Sequence, residues 1–371
     1  MALQEDEFEE KLFQAIDDTA DKRQQTRIEA YDLIREILMH NYIPEALTNR
    51  KMALLAALER SLRKGNEKER IVAAKLIPLL VIQCEAVEGV QEIEKLLKPV
   101  LITTMKDAEN VACSVTVHCS NALGMLCLAG EKDPDEILAV MRIVQEILQE
   151  DLPYSVTNKL YAGVLNSWSL LLTLLAPKTI VEQINGGILL SSKDLVAMLE
   201  ETHLAVRTSS SKTLALMHEL GHQYDPSFLH DELPDFMDIL QKLSTTSNKY
   251  QAKKNRKQQR HAFREVLHYF REGVTPEIGI KFEDETLHLD RWAIRHQYSC
   301  LKTVLTSGMN VHLKENLLVR DILQLGPKVS KLEKRSVKML KLEQRLSNGA
   351  ASKKRSITRG KERDIQSCLW E

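Results

Sequence analysis

Glycine is scarce in this chain, 14 of 371 residues, and aromatic residues make up only 5 %. So few turn-formers and ring side chains argue against a β-sandwich or barrel, which needs many tight turns. No uninterrupted apolar run approaches the roughly 18–20 residues of a membrane helix. The acidic, polar start, Met1 to Glu10, is unlike a secretory signal. None of the six cysteines (Cys84, Cys113, Cys119, Cys127, Cys300, Cys368) forms a C-x2-C pair, so they read as buried reduced thiols rather than a disulfide or metal framework. No phosphate-loop, dinucleotide-binding or nucleophile-elbow motif occurs. The expectation is a non-enzymatic intracellular protein with no cofactor, no resident metal, no small-molecule substrate and no membrane attachment.

What the chain does have is hydrophobic residues at 43 %, with helical periodicity from Phe8 to about Leu325. Most prolines, among them Pro44, Pro99, Pro134 and Pro177, are expected near helix ends, and Pro78 inside a helix. The helical segments repeat. Anchors at Arg27, Arg70, Val117, Val164 and Arg207 are separated by 43, 47, 47 and 43 residues. Three residues past each anchor stands a small residue: Ala30, Ala73, Ser120, Ser167, Ser210. Six past are Leu33, Leu76, Leu123, Leu170 and Thr213, and ten past are Ile37, Leu80, Cys127, Leu174 and Met217. Small residues let helices approach closely, and the larger ones fill the groove between them. A period in the forties is that of HEAT or armadillo helix pairs. The expected fold is therefore all-α, a HEAT/armadillo-like helical-repeat superhelix (α-solenoid) ending in a basic tail or helix.

The formal net charge of −1 conceals strong segregation. Residues 1–21 carry eight acids against Lys11, a net −7, whereas residues 245–271 carry eight bases against Glu265, a net +7. Residues 328–363 carry thirteen bases against three acids, a net +10. In the first basic stretch Lys253, Lys257, Arg260 and Arg264 recur at helical spacing and would line one face, with Lys249, Lys254 and Arg256 beside them. Few acids stand at i+4 to neutralise that face, so phosphate neutralisation is the favoured reading over a merely solvated helix. The second cluster, Lys353, Lys354, Arg355, Arg359, Lys361 and Arg363, lies where apolar periodicity has failed and reads as a segment that folds on RNA, the bland alternative being an import signal or solubilising tail.

One segment points to a different chemistry. His218-Glu219-Leu220-Gly221-His222 matches H-E-x-x-H, the pattern in which two histidines bind zinc and the glutamate serves as general base. The extended metzincin form wants Gly and His where Asp225 and Phe228 stand. Gly221 followed by Asp225-Pro226 reads as a helix end that would leave His222 outside the helix, and His230 as third ligand lies beyond that proline. A peptidase is the disfavoured reading.

Several stretches resemble the interferon-related developmental regulator family. They are Ser247-Asn-Lys-Tyr-Gln-Ala-Lys253, Arg256-Lys257-Gln258-Gln259-Arg260 and Phe263-Arg264-x-Val266-Leu267. Ile280-Lys281-Phe282, Trp292, Gly308-Met309-x-x-His312-Leu313, Leu318-x-Arg320-Asp321-Ile322 and Asn348-x-Ala350-Ala351-x-Lys353-x-Arg355 extend the likeness. It is specific from about 240 to 365 and looser but collinear from 22 to 240. The resemblance implies helical-repeat proteins described both as transcriptional co-regulators and as occupants of translationally inactive ribosomes, with a C-terminal helix in the mRNA path. It implies a ribosome-binding, hibernation-type translational repressor that sterically blocks tRNA sites and the mRNA channel, with rRNA and ribosomal proteins as partners. The alternative is a nuclear scaffold recruiting co-repressor proteins through an acidic concave surface. The expected division is an acidic segment 1–21, a solenoid 22–240, a family-specific helical domain 241–327 carrying the basic helix, and a basic helix and tail 328–371. A monomer is expected, in the cytoplasm with the nucleus as a second location.

Overall fold

The computed structural model describes residues 2–107, 111–130, 133–149, 154–201, 203–245 and 253–326. The helices are α1 (Ala2–Asp18), α2 (Gln24–His40), α3 (Pro44–Leu47), α4 (Lys51–Lys64), α5 (Glu67–Ile82), α6 (Val87–Lys106), α7 (Cys113–Ala129), α8 (Pro134–Leu148) and α9 (Tyr154–Leu172). They continue as α10 (Pro177–Asn185), α11 (Ser192–Glu200), α12 (Leu204–His222), α13 (Leu233–Thr245) and α14 (Lys253–Glu272). A hairpin of β1 (Ile278–Phe282) and β2 (Glu285–Leu289) follows, then α15 (Trp292–Leu305), α16 (Met309–Glu315) and α17 (Leu317–Ile322).

The five anchors fall on α2, α5, α7, α9 and α12, and these helices pack successively on one another as an inner row that α14 extends. Each has an outer partner: α1 on α2, α4 on α5, α6 on α7, α8 on α9, α11 on α12, α13 on α14. The fold is an all-α helical-repeat solenoid, and Met1–Leu325 form one compact unit. All five small residues of the repeat are buried, and so are Leu76, Leu123, Leu170 and Thr213. Leu33 departs from the pattern at 42 % exposure: no inner-row helix precedes α2, so that flank of its stripe has no neighbour. The acidic N-terminal stretch enters the array as α1, seated on its neighbours through Leu12, Ala15 and Ile16.

Proline behaves less simply than its local rules suggest. Pro44, Pro134 and Pro177 open α3, α8 and α10, and Pro78 lies inside α5. Pro99 also lies inside a helix, α6, rather than near its end. Packing of Val100, Leu101 and Leu97 in the core carries the helix through the lost hydrogen bond. The hairpin is an addition to the all-helical expectation. Its strands are five residues each with Phe282, Leu287 and Leu289 buried.

Two polar clusters tie the layers. Glu69, 1 % exposed, receives both Nε and Nη2 of Arg27, with Ser61 Oγ and Gln24 Nε2 completing its shell. Burial pushes its carboxyl up, but these donors outweigh that and hold it below the usual carboxylate range. The second cluster belongs to the last helices. After the hairpin, α15 crosses α12, α9, α5 and α2, and α16 ends against α2. This strap is fastened along its length. His296 Nε2 meets the Asn166 carbonyl at 2.8 Å. His312 Nε2 meets the Leu38 carbonyl at 3.1 Å, and Asn316 donates to the Ile82 carbonyl at 2.6 Å. At its end Arg320, 1 % exposed, gives Nη2 to Glu285 at 2.8 Å and Nη1 to the Leu313 carbonyl at 2.9 Å. The inner row is therefore covered by the chain's own strap along these helices.

Candidate nucleic-acid interface

Helix α14 is amphipathic by construction. Ala262, Phe263, Val266, Leu267 and Tyr269 are buried and bind it to the array. On the other side Lys257, His261, Arg264 and His268 are exposed, and Arg260 is half-buried. These five, with Glu265 and Pro276, line an open groove of about 440 Å³. The spacing Lys257, Arg260, Arg264 thus places its three cations on one groove. Glu265, the acid nearest to them in sequence, is engaged elsewhere: Arg295 of α15 pairs with it at 2.8 Å and His261 at 3.3 Å. Lys257 and Arg264 have no ion pair among the described residues. Such a surface is a ready counter-charge for phosphates. Lys253, Lys254 and Arg256 stand in the first turn of α14, their side chains outside the described residues. Lys249 and the tail cations Lys353, Lys354, Arg355, Arg359, Lys361 and Arg363 lie outside the described residues altogether.

The H-E-x-x-H segment resolves into packing. α12 extends through His222, so both histidines are helical, contrary to the expected early helix end. Gly221 lets Phe228 pack directly against the helix, where a Cβ would collide with its ring. Glu219 does not face open space. It accepts the Trp292 and Ala293 backbone N–H groups at 2.8 and 3.0 Å, with Thr275 Oγ1 at 3.4 Å. It is therefore the cap of α15, supplied from another helix. Burial raises its carboxyl above the ordinary range, partly opposed by those hydrogen bonds. His218 is held by Tyr269 Oη at 3.0 Å and stacked on His222. Burial pulls it down to about 4, so it is neutral at pH 7. His230 is exposed in the turn beyond Pro226. A glutamate committed to two backbone amides cannot also stand over a scissile bond as general base.

Cysteines behave as packing groups. Cys84, Cys113, Cys119, Cys127 and Cys300 form no disulfide, and burial pushes the Cys84 thiol up to about 11 and Cys119 and Cys300 up to about 12. Cys368 lies outside the described residues. No helix among the described residues is long and apolar enough to cross a membrane.

Sequence reasoning missed Lys212 and Arg295, which stand beside this groove. They are far apart in the chain, and nothing in either local pattern distinguishes them from ordinary surface cations.

Over residues 1–271 the chain matches the family described as Interferon-related developmental regulator, and over 316–367 the Interferon-related protein conserved region. It is 31 % identical over 373 residues to the mouse protein Interferon-related developmental regulator 2, covering 97 % of this chain and 83 % of that one. It is 29 % identical over 379 residues to human Interferon-related developmental regulator 1, covering 99 % and 83 %.

Proposed function

The chain belongs to the interferon-related developmental regulator family, and on that premise we propose that it is a non-catalytic translational repressor that docks on inactive ribosomes. The solenoid holds the α14 groove against rRNA, and the basic C-terminal stretch blocks the mRNA channel. The mechanism is steric exclusion combined with phosphate neutralisation. The observation that carries this reading is the α14 groove, whose Lys257 and Arg264 are exposed without ion pairs among the described residues while the neighbouring carboxylate is bound by Arg295. The conserved-region match across 316–367 spans all six proposed tail cations.

In this reading the globular contact is made by Lys249, Lys253, Lys254, Arg256, Lys257, Arg260 and Arg264. The tail contact is made by Lys353, Lys354, Arg355, Arg359, Lys361 and Arg363. Each Lys or Arg that neutralises a phosphate adds about one to the salt slope of binding. The test is co-sedimentation with ribosomes at near-physiological salt. Reversal of Lys257, Arg260 and Arg264 together should move the protein to the top of the gradient. Unchanged co-sedimentation of that variant and of one with the tail charges reversed would sink the assignment. The alternative, co-repressor recruitment through the solenoid's concave surface, loses support where α15 and α16 lie across the inner row.

A further inference from the structure

Next to the α14 groove, and sharing Glu265 with it, is a second and smaller cavity of about 240 Å³. Four elements build it: Asn166 from α9, Thr208, Ser209 and Lys212 from α12, Glu265 from α14, and Arg295 with His296 and Ser299 from α15. Two cations, Lys212 and Arg295, are thereby brought close to one carboxylate. That carboxylate is already shared, since Glu265 receives Arg295 Nη2 and His261. Lys212 has no hydrogen bond or ion pair among the described residues, and Arg295 Nη1 is buried without an acceptor. The guanidinium cannot swing away to find one, because it is stacked over the Trp292 ring at 4.8 Å and tethered to Glu265. Lys212 is exposed by surface area, and the protein packed around its stem still lowers it below the ordinary lysine range; Glu265 opposes that and Arg295 adds to it. His296 stays neutral here, pulled down to about 4 by burial, with its Nε2 donating to the Asn166 carbonyl. Arg295 is a largely buried cation with one donor unmet, and Lys212 is an exposed cation at the same cavity, so an anion entering there would satisfy the donor and meet both charges.

We propose that this cavity is a phosphate-binding pocket that takes a terminal phosphomonoester, with Lys212 and Arg295 as its cationic ligands and Thr208, Ser209 and Ser299 as neutral donors. The two cations outnumber the single carboxylate of the cavity, which leaves it net positive towards an anion, and Arg offers the planar fork that phosphate oxygens accept. The volume lies below the roughly 300–1,000 Å³ of drug-sized sites, so it is fitted to the phosphate and its immediate substituent rather than to a whole large molecule. The source of the group is either a mononucleotide or the phosphorylated end of an RNA strand. The proposal concerns a different cavity from the α14 groove and does not require that groove to bind ribosomes.

The test is calorimetric titration of the full chain at matched ionic strength. 5′-AMP is expected to bind, adenosine is not, and Lys212→Gln should weaken AMP at least tenfold. Lys212 is exposed, so Lys212→Gln should fold about as well as the parent, which a melting curve checks. Equal binding of adenosine and AMP, or equal AMP affinity in Lys212→Gln, overturns the pocket. A second variant, Lys257→Glu/Arg264→Glu, separates the two sites: it should lose ribosomes while keeping AMP. If it keeps ribosomes but Lys212→Gln loses AMP, the groove reading falls and the pocket stands. Given AMP binding, a 5′-phosphorylated oligonucleotide binding at least tenfold tighter than its 5′-hydroxyl twin assigns the pocket to RNA ends. Equal binding of the two strands assigns it to free phosphomonoesters.

Discussion

The strap and the α14 groove use charge in opposite ways. At the two ends of the strap, charged groups are met by partners as they are buried: Arg320 by Glu285 and the Leu313 carbonyl, Glu219 by the amides that open α15. In the groove, Lys257 and Arg264 face solvent without ion pairs among the described residues, and the Glu265 carboxylate beside them is paired with the strap's Arg295. The difference teaches how to read a charged motif. H-E-x-x-H looks chemical and is structural, because its polar atoms are consumed by the fold. The basic run reads as a phosphate-neutralising stripe, and the fold leaves its Lys257 and Arg264 exposed.

The sharpest way to break this comparison is at Arg320. Arg320→Ala leaves Glu285 partly buried and unpaired, so about 3–5 kcal/mol of stability should be lost in urea denaturation. A loss under 1 kcal/mol would mean that the strap's end is not fixed by this pair. Next in size, Glu219→Ala should cost about 1–3 kcal/mol by orphaning buried donors, whereas Glu219→Gln, which still accepts the amide protons, should cost much less. Equal losses would show that charge rather than acceptance matters at this cap.

A pH series sharpens the contrast between buried and exposed histidines. His118, His218 and His296 are each pulled down to about 4 by burial, below the ordinary value near 6.5. Between those limits the unfolded chain binds more protons than the folded one, so stability must fall as pH drops from about 6.5 towards 4. Glu69, held low by Arg27, adds a further loss once pH falls through the carboxylate range. A melting temperature that stays flat from pH 6.5 to 5 would contradict the burial of these imidazoles. The smallest expected stability effect is at the groove itself. Lys257→Glu/Arg264→Glu should shift stability by about 0.5 kcal/mol or less, while its RNA affinity falls and the salt slope drops by about two.

Much of the architecture was legible in the chain. The anchors near 43 and 47 residues apart land on consecutive inner helices because a helix pair can bury its apolar face only against the next pair, and that demand writes the same small and large residues into each unit. The cation stripe Lys257, Arg260, Arg264 was legible for a similar reason: side chains three and four apart on a helix share a face wherever the helix goes.

What the sequence determined by itself, then, was whatever depends on near neighbours: helical periodicity, the repeat, and which side of α14 is cationic. Only the tertiary structure decided the rest. It settled that Glu219 caps a helix seventy-odd residues away, that the strap runs back as far as Leu38, and that Lys212 and Arg295 line one cavity with Glu265. Those pairings join distant segments of chain, and no periodicity records them. They follow from where three-dimensional packing leaves a buried donor in need of an acceptor.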